Sequence, residues 1–225
     1  CLRSPHLYRE HAVRTNTAYY RSLMDKWFIT DGIYVSCHDL ISRLLQMDYD
    51  GDKLLVCGDP LLVKVAERNM EGIVPLYYTM AKAGATQLCA SAYYDGMIAA
   101  YTGGDIGQKS NDVTKLWNED NVSVEDINNI KILCMEGNFC VDYAKTLYKP
   151  NRPVAVDKVL RGKTRKKVPF FFQEVKDKKE GQVEPINEST VNRLRRLIPK
   201  QNLKFDYRQV GKLDARYLKS DMDFD

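Results

Sequence analysis

Histidine is scarce in this 225-residue sequence: His6, His11 and His38 are too few and too scattered to build a histidine-based metal site. The six cysteines, Cys1, Cys37, Cys57, Cys89, Cys134 and Cys140, form no C-x-x-C pair and show no zinc-ligand spacing. They read as reduced thiols, not as a disulfide or zinc framework. Apolar runs of membrane-spanning length are missing, no signal-peptide pattern opens the chain, and there is no internal repeat. A cytoplasmic location without membrane contact is the expectation. Net charge is only +4, so the chain is not uniformly basic, and its 44% hydrophobic and 28% charged content is ordinary for a globular protein with a sizeable core.

Against these absences stands one concentrated feature. The stretch MDYDGDKLLV, Met47 to Val56, sets Asp48, Asp50 and Asp52 at alternate positions around Gly51. Alternate residues of an extended strand point to one side, so the three carboxylates are expected to converge and repel. Carboxylates sharing a site stay ionised when a positive charge sits among them, and a divalent cation supplies the most charge in the least space. Oxygen-only ligands favour Mg²⁺, with Mn²⁺ able to replace it, or Ca²⁺ over zinc. Gly51 gives the backbone freedom for a tight bend. An EF-hand wants Gly at its sixth position and Glu at its twelfth; counted from Asp48, those places hold Lys53 and Asp59. A solvated acidic turn is the other reading of such an Asp/Gly cluster.

The periodicity of the chain divides it into three expected regions, 1–60, 61–150 and 151–225. In the first, GIYVSCHDL, Leu44-Leu45 and Leu54-Leu55-Val56 read as strands, with a separating loop that contains Trp27 and Asp31-Gly32. In the second, Asp59-Pro60 signals a helix start for LLVKVAERNM, and Gly72 its end. Ser123 is a further N-cap, followed by Ile127, Ile130, Cys134, Gly137 and Val141 at helical steps, with Asn138, Asp142 and Lys145 on another face. The third region holds the basic run VDKVLRGKTRKKV, a strand-like VPFFFQEV, a Lys/Glu-rich linker and an amphipathic helix from Ser189 to Ile198 stopped by Pro199. The basic run, with Lys158, Arg161, Lys163, Arg165, Lys166 and Lys167, is either a polyanion-binding surface or a solvated loop. The tail SDMDFD also alternates aspartates but lacks a glycine and a following strand. It reads as an acidic end. The opening CLRSPHLYRE reads as the middle of a longer protein, so a fragment is expected.

The placement of Arg3-Ser4-Pro5 ahead of the D-x-D-G-D loop resembles the catalytic half of the two-barrel RNA polymerases. CVDYAKT, Cys140 to Thr146, resembles the VDY/F-x-K-T element of the single-chain branch, which groups phage and prophage DNA-directed enzymes with eukaryotic silencing RNA-dependent polymerases. IGQKSNDVTKLWN, Ile106 to Asn118, is similar to a feature of the phage type. The resemblance covers roughly residues 1–150. Ser4 stands where cellular enzymes carry Gln, and Gln46-Met47 where they carry Asn-Ala, which places the chain with the divergent single-chain enzymes. The implied fold is α+β: part of a double-psi β-barrel bearing the aspartate loop, then a helical region and a basic C-terminal segment. A partner barrel supplying nucleotide-contacting lysines is expected upstream in the same chain.

By the same resemblance Asp48, Asp50 and Asp52 are the catalytic Mg²⁺ ligands, Arg3 and Lys145 contact the ribonucleoside triphosphate, and RNA grows on a nucleic-acid template. Lys145 has a competing role in an ion pair with Asp142. Lys163, Arg165, Lys166, Lys167, Arg193 and Arg196 are expected to contact the nucleic-acid backbone. A phage-encoded enzyme would work in the bacterial host cytoplasm or travel in the virion. Three alternatives stay open at this point: RNA-templated synthesis, a metal-dependent nuclease, and a non-enzymatic cation- or nucleic-acid-binding module.

Overall fold

In a computed structural model, residues 1–4, 8–9, 11–15, 33–49, 51–81 and 84–198 are described. Asp50, Pro5, Trp27, Asp31-Gly32, Pro199 and the acidic tail lie outside them.

Local capping chemistry starts several helices. The Asp59 carboxylate accepts from the backbone N–H groups of Leu61 and Leu62 at 3.0 Å, and Pro60 opens helix α2, Pro60–Met70. Gly72, at φ 68°, follows its C-terminus, the left-handed conformation that glycine adopts without strain. Ser123 caps the long helix α5, Val124–Val141, through a reciprocal pair of bonds with Asp126. Ser189 caps α9, Thr190–Leu197. The remaining elements are β1 (Leu2–Ser4), α1 (Ile41–Leu44), β2 (Lys53–Leu55), α3 (Ala90–Gly103), α4 (Ile106–Trp117), α6 (Tyr143–Thr146), α7 (Val154–Thr164), α8 (Phe172–Val175) and a 3-10 turn at Glu180–Gln182.

Two apolar clusters hold these elements. Val113 and Leu116 of α4, Ile130, Leu133 and Cys134 of α5 and Leu160 of α7 form the larger. Residues on both sides of position 150 therefore share one core. Between α4, α5 and the segment entering α7 lies a half-buried ionic link: Glu136 accepts from Lys109 and from Nε and Nη2 of Arg152, all at 2.6 Å. Burial pushes the Glu136 carboxyl up, but these two cations bring it below its ordinary range. The smaller cluster, Ala12, Ile41 and Leu45 with Met47 and Leu54 against it, lies at the base of the aspartate loop. Helix α3 meets α6 where Gly103 faces the Tyr143 ring so closely that an added Cβ would collide with it.

Four expectations are corrected. Leu44-Leu45 do not form a strand: Leu44 ends α1, because the Asp39 carboxylate takes the Ile41 N–H at 2.8 Å while Arg14 grips Asp39 at 2.5 and 2.7 Å. GIYVSCHDL also forms no strand over its described residues, which run from an extended segment into a turn. VPFFFQEV gives one bridge, Val168 to Val183, and then folds into α8 through Phe172 N–H to Pro169 C=O at 3.0 Å. The basic run is not a solvated loop over most of its length but the helix α7.

Helix α9 forms where expected, but its apolar stripe is not its buried face. Asn192 is buried while Val191, Leu194 and Leu197 are exposed, because Asn192 bonds Asn187 at 2.6 Å and Ser189 bonds Asn118 at 2.9 Å. Among the described residues the sheet has two strands, β1 and β2, and no helix is long and apolar enough to cross a membrane.

Candidate active site

Strands β1 and β2 pair antiparallel with Arg3 opposite Leu54, which brings Arg3 beside the loop that ends at Asp52. The loop is not an extended strand. Gln46 and Tyr49 adopt positive φ of 54° and 63°, and Gly51 one of 115°. These reversals break the alternation expected from the sequence, so Asp48 and Asp52 do not project in parallel from one strand face.

Asp52 turns back beneath the loop. Its side chain is 8% exposed, and its Oδ2 accepts from the backbone N–H groups of Asp48 and Tyr49, both at 3.1 Å. Its Oδ1 accepts from Arg3 Nε at 2.5 Å. The same guanidinium donates to the Gln46 carbonyl and reaches Asp48 Oδ1 at 3.4 Å. Burial raises the Asp52 carboxyl, but the two N–H bonds and Arg3 outweigh it and hold the group below the usual carboxylate range. Asp48 is 54% exposed.

Arg3 is thus the positive charge that lets two carboxylates lie together. Their oxygens form a hard, anionic donor set, and the Asp48 carboxylate is open to solvent, features that suit Mg²⁺ better than a soft metal. Among the described residues no group of three His, Cys, Asp or Glu side chains is gathered as a metal site. The middle aspartate, Asp50, lies outside those residues.

Sequence reasoning missed how the loop is tied to the helices. Asn138 on α5 donates to Gln46 Oε1 at 3.1 Å and bonds the Tyr78 hydroxyl at 2.5 Å. The sequence signal was partial: Asn138 falls off the apolar face of α5, on the face shared with Asp142 and Lys145.

The other expected contacts divide. Lys145 is 69% exposed and pairs with Asp142 at 3.7 Å, the competing role read from the sequence. Lys163 pairs with Asp126 at 2.9 Å, Lys166 with Glu119, and Arg196 with Glu188 at 2.5 Å. Asp126 raises Lys163 above the ordinary lysine range, and Glu188 does the same for Arg196 within its own. Arg165, Lys167 and Arg193 are exposed and make no ion pair among the described residues.

No protein-family profile matches the chain, and no solved structure matches it. Over 217 residues, 96% of its own length, the chain is 49% identical to a DNA-directed RNA polymerase, YonO of Bacillus phage SPbeta. It spans 25% of the length of that phage protein.

Proposed function

We propose that this chain is the metal-loop region of a single-chain, DNA-templated RNA polymerase of phage type, with its β1–β2 pair forming part of a double-psi β-barrel. The observation that carries the reading is the Asp48–Arg3–Asp52 cluster, set in a chain 49% identical to a phage polymerase. The remainder of such an enzyme would include the partner barrel, and this chain spans 25% of that relative's length.

The reaction joins the RNA 3′-oxygen to the α-phosphorus of a ribonucleoside triphosphate. One O–P bond forms, the bond to pyrophosphate breaks, and the hydroxyl proton passes to solvent. Asp48, Asp50 and Asp52 would hold Mg²⁺; when bound, it lowers the pKa of the 3′-hydroxyl and offsets charge on the triphosphate. Asp52 keeps the loop folded by accepting the Asp48 and Tyr49 N–H groups. Asp48 offers the open carboxylate. Arg3 pairs with both carboxylates and would meet the triphosphate or ribose of the incoming nucleotide. Positioning and charge, not covalent chemistry, are the protein's part.

The test is incorporation of labelled ribonucleotides by the full chain with Mg²⁺, on single-stranded DNA and on RNA in parallel. RNA product on DNA that disappears in Asp48→Ala and Asp50→Ala is the expected result. Product on RNA alone would change the template, and template degradation without nucleotide incorporation would replace the polymerase with a nuclease.

A further inference from the structure

Helix α7 sorts its charges by direction. Leu160, fully buried, and the half-buried Val156 mark the inner side, where Lys163 reaches Asp126 of α5; Lys166, just past the helix, reaches Glu119. Lys158, Arg161 and the C-cap Arg165, spaced i, i+3, i+7, emerge away from Leu160 within an arc of about 60°, and all three are exposed. They span about 10 Å along the helix axis. Asp157, the acid flanking this face, is taken up by Arg152 at 3.0 Å and Arg161 at 2.6 Å, and Lys158 and Arg165 have no ion pair among the described residues.

A second feature lies beside this arc. Gly162 is a helix-interior glycine with open space where a Cβ would stand. Such a glycine costs about 1 kcal/mol relative to alanine, and no internal contact requires it. It leaves bare backbone alongside the three cationic side chains, where a bulky strand can approach closely.

We propose that this outer face of α7 is a contact surface for the phosphodiester backbone of a nucleic-acid strand, read without regard to base sequence. The inference rests on the polymerase reading and sharpens it: Lys158, Arg161 and Arg165 meet phosphates, while Lys163 and Lys166 pair with carboxylates of the chain itself. Charge complementarity selects the occupant, since a polyanion gains from three aligned cations by releasing counterions.

The experiment measures binding of a fluorescein-labelled single-stranded DNA by the full chain across a salt series. Each lost phosphate contact lowers the slope of log K against log salt by about 0.7. Lys158→Gln/Arg161→Gln/Arg165→Gln is expected to lower it by about 2. Lys163→Gln is expected to leave the slope unchanged and to lower stability to urea instead. Lys158→Glu repeats the measurement with a single exposed side chain, should the triple variant fold poorly, and is expected to lower the slope as well. A wild-type slope in both outer-face variants overturns the proposal. If such variants keep that slope while the wild type makes RNA, this surface alone is refuted. A wild type that neither binds DNA nor makes RNA refutes the polymerase reading and this surface with it.

Discussion

Arg3 and Asp52 are 49 residues apart in sequence, yet their contact decides whether the aspartate loop holds together. Asp52 has a folded-state pKa below the ordinary value of about 3.9. Its contribution to stability is therefore fully present above that value and is lost as pH falls through the depressed folded pKa. Arg3→Leu leaves a largely buried carboxylate without its cation and is expected to cost about 1–3 kcal/mol at neutral pH. In urea unfolding, the gap between wild type and Arg3→Leu should close on acidification through the carboxylate range. A gap of constant size would show that Arg3 does not act through Asp52. Asp48→Ala should instead spare stability, since that carboxylate is exposed, and lower RNA synthesis by the full chain about a thousandfold, the scale of several kcal/mol of lost charge stabilisation. Normal synthesis by Asp48→Ala would remove Asp48 from the metal site. Glu136→Gln keeps the shape of its side chain but leaves Lys109 and Arg152 short of their counter-charge, at a cost of about 3 kcal/mol read from urea midpoints.

At the scale of elements, helix starts were legible because a cap acts within three or four residues. Asp59-Pro60, Ser123 and Ser189 each begin a helix where the sequence placed one. Ser123→Ala should lower stability by about 1 kcal/mol through loss of the Asp126 N–H bond. Gly103→Ala tests a constraint no pattern revealed: the added methyl meets the Tyr143 ring, so α3 and α6 must part, at about 1–3 kcal/mol by thermal or urea unfolding. Short apolar runs were the misread elements. Leu44-Leu45 and VPFFFQEV are too short for period to separate strand from helix, and the Asp39–Ile41 and Pro169–Phe172 bonds settled them. In α9 the apolar stripe pointed to a buried face, but the Asn118–Asn187–Ser189–Asn192 bonds turned the polar side inward.

For the whole molecule, residue types alone determined the chemistry on offer: hard oxygen donors at Asp48, Asp50 and Asp52, histidines and cysteines without metal-ligand spacing, and basic residues gathered after position 157. Composition and local spacing suffice for that, because a carboxylate carries its charge and a cap its hydrogen bond wherever the chain goes. Tertiary structure decided which of those groups stay available. It turned Asp52 under the loop and left Asp48 open, made Arg3 the counter-charge, and tied Gln46 to Asn138 across 92 residues. It also spent Lys163 and Lys166 on Asp126 and Glu119 while leaving Lys158 and Arg165 outward. Ion pairs between distant segments depend on where the helices pack, and a sequence pattern of period two or three and a half carries no record of a partner tens of residues away.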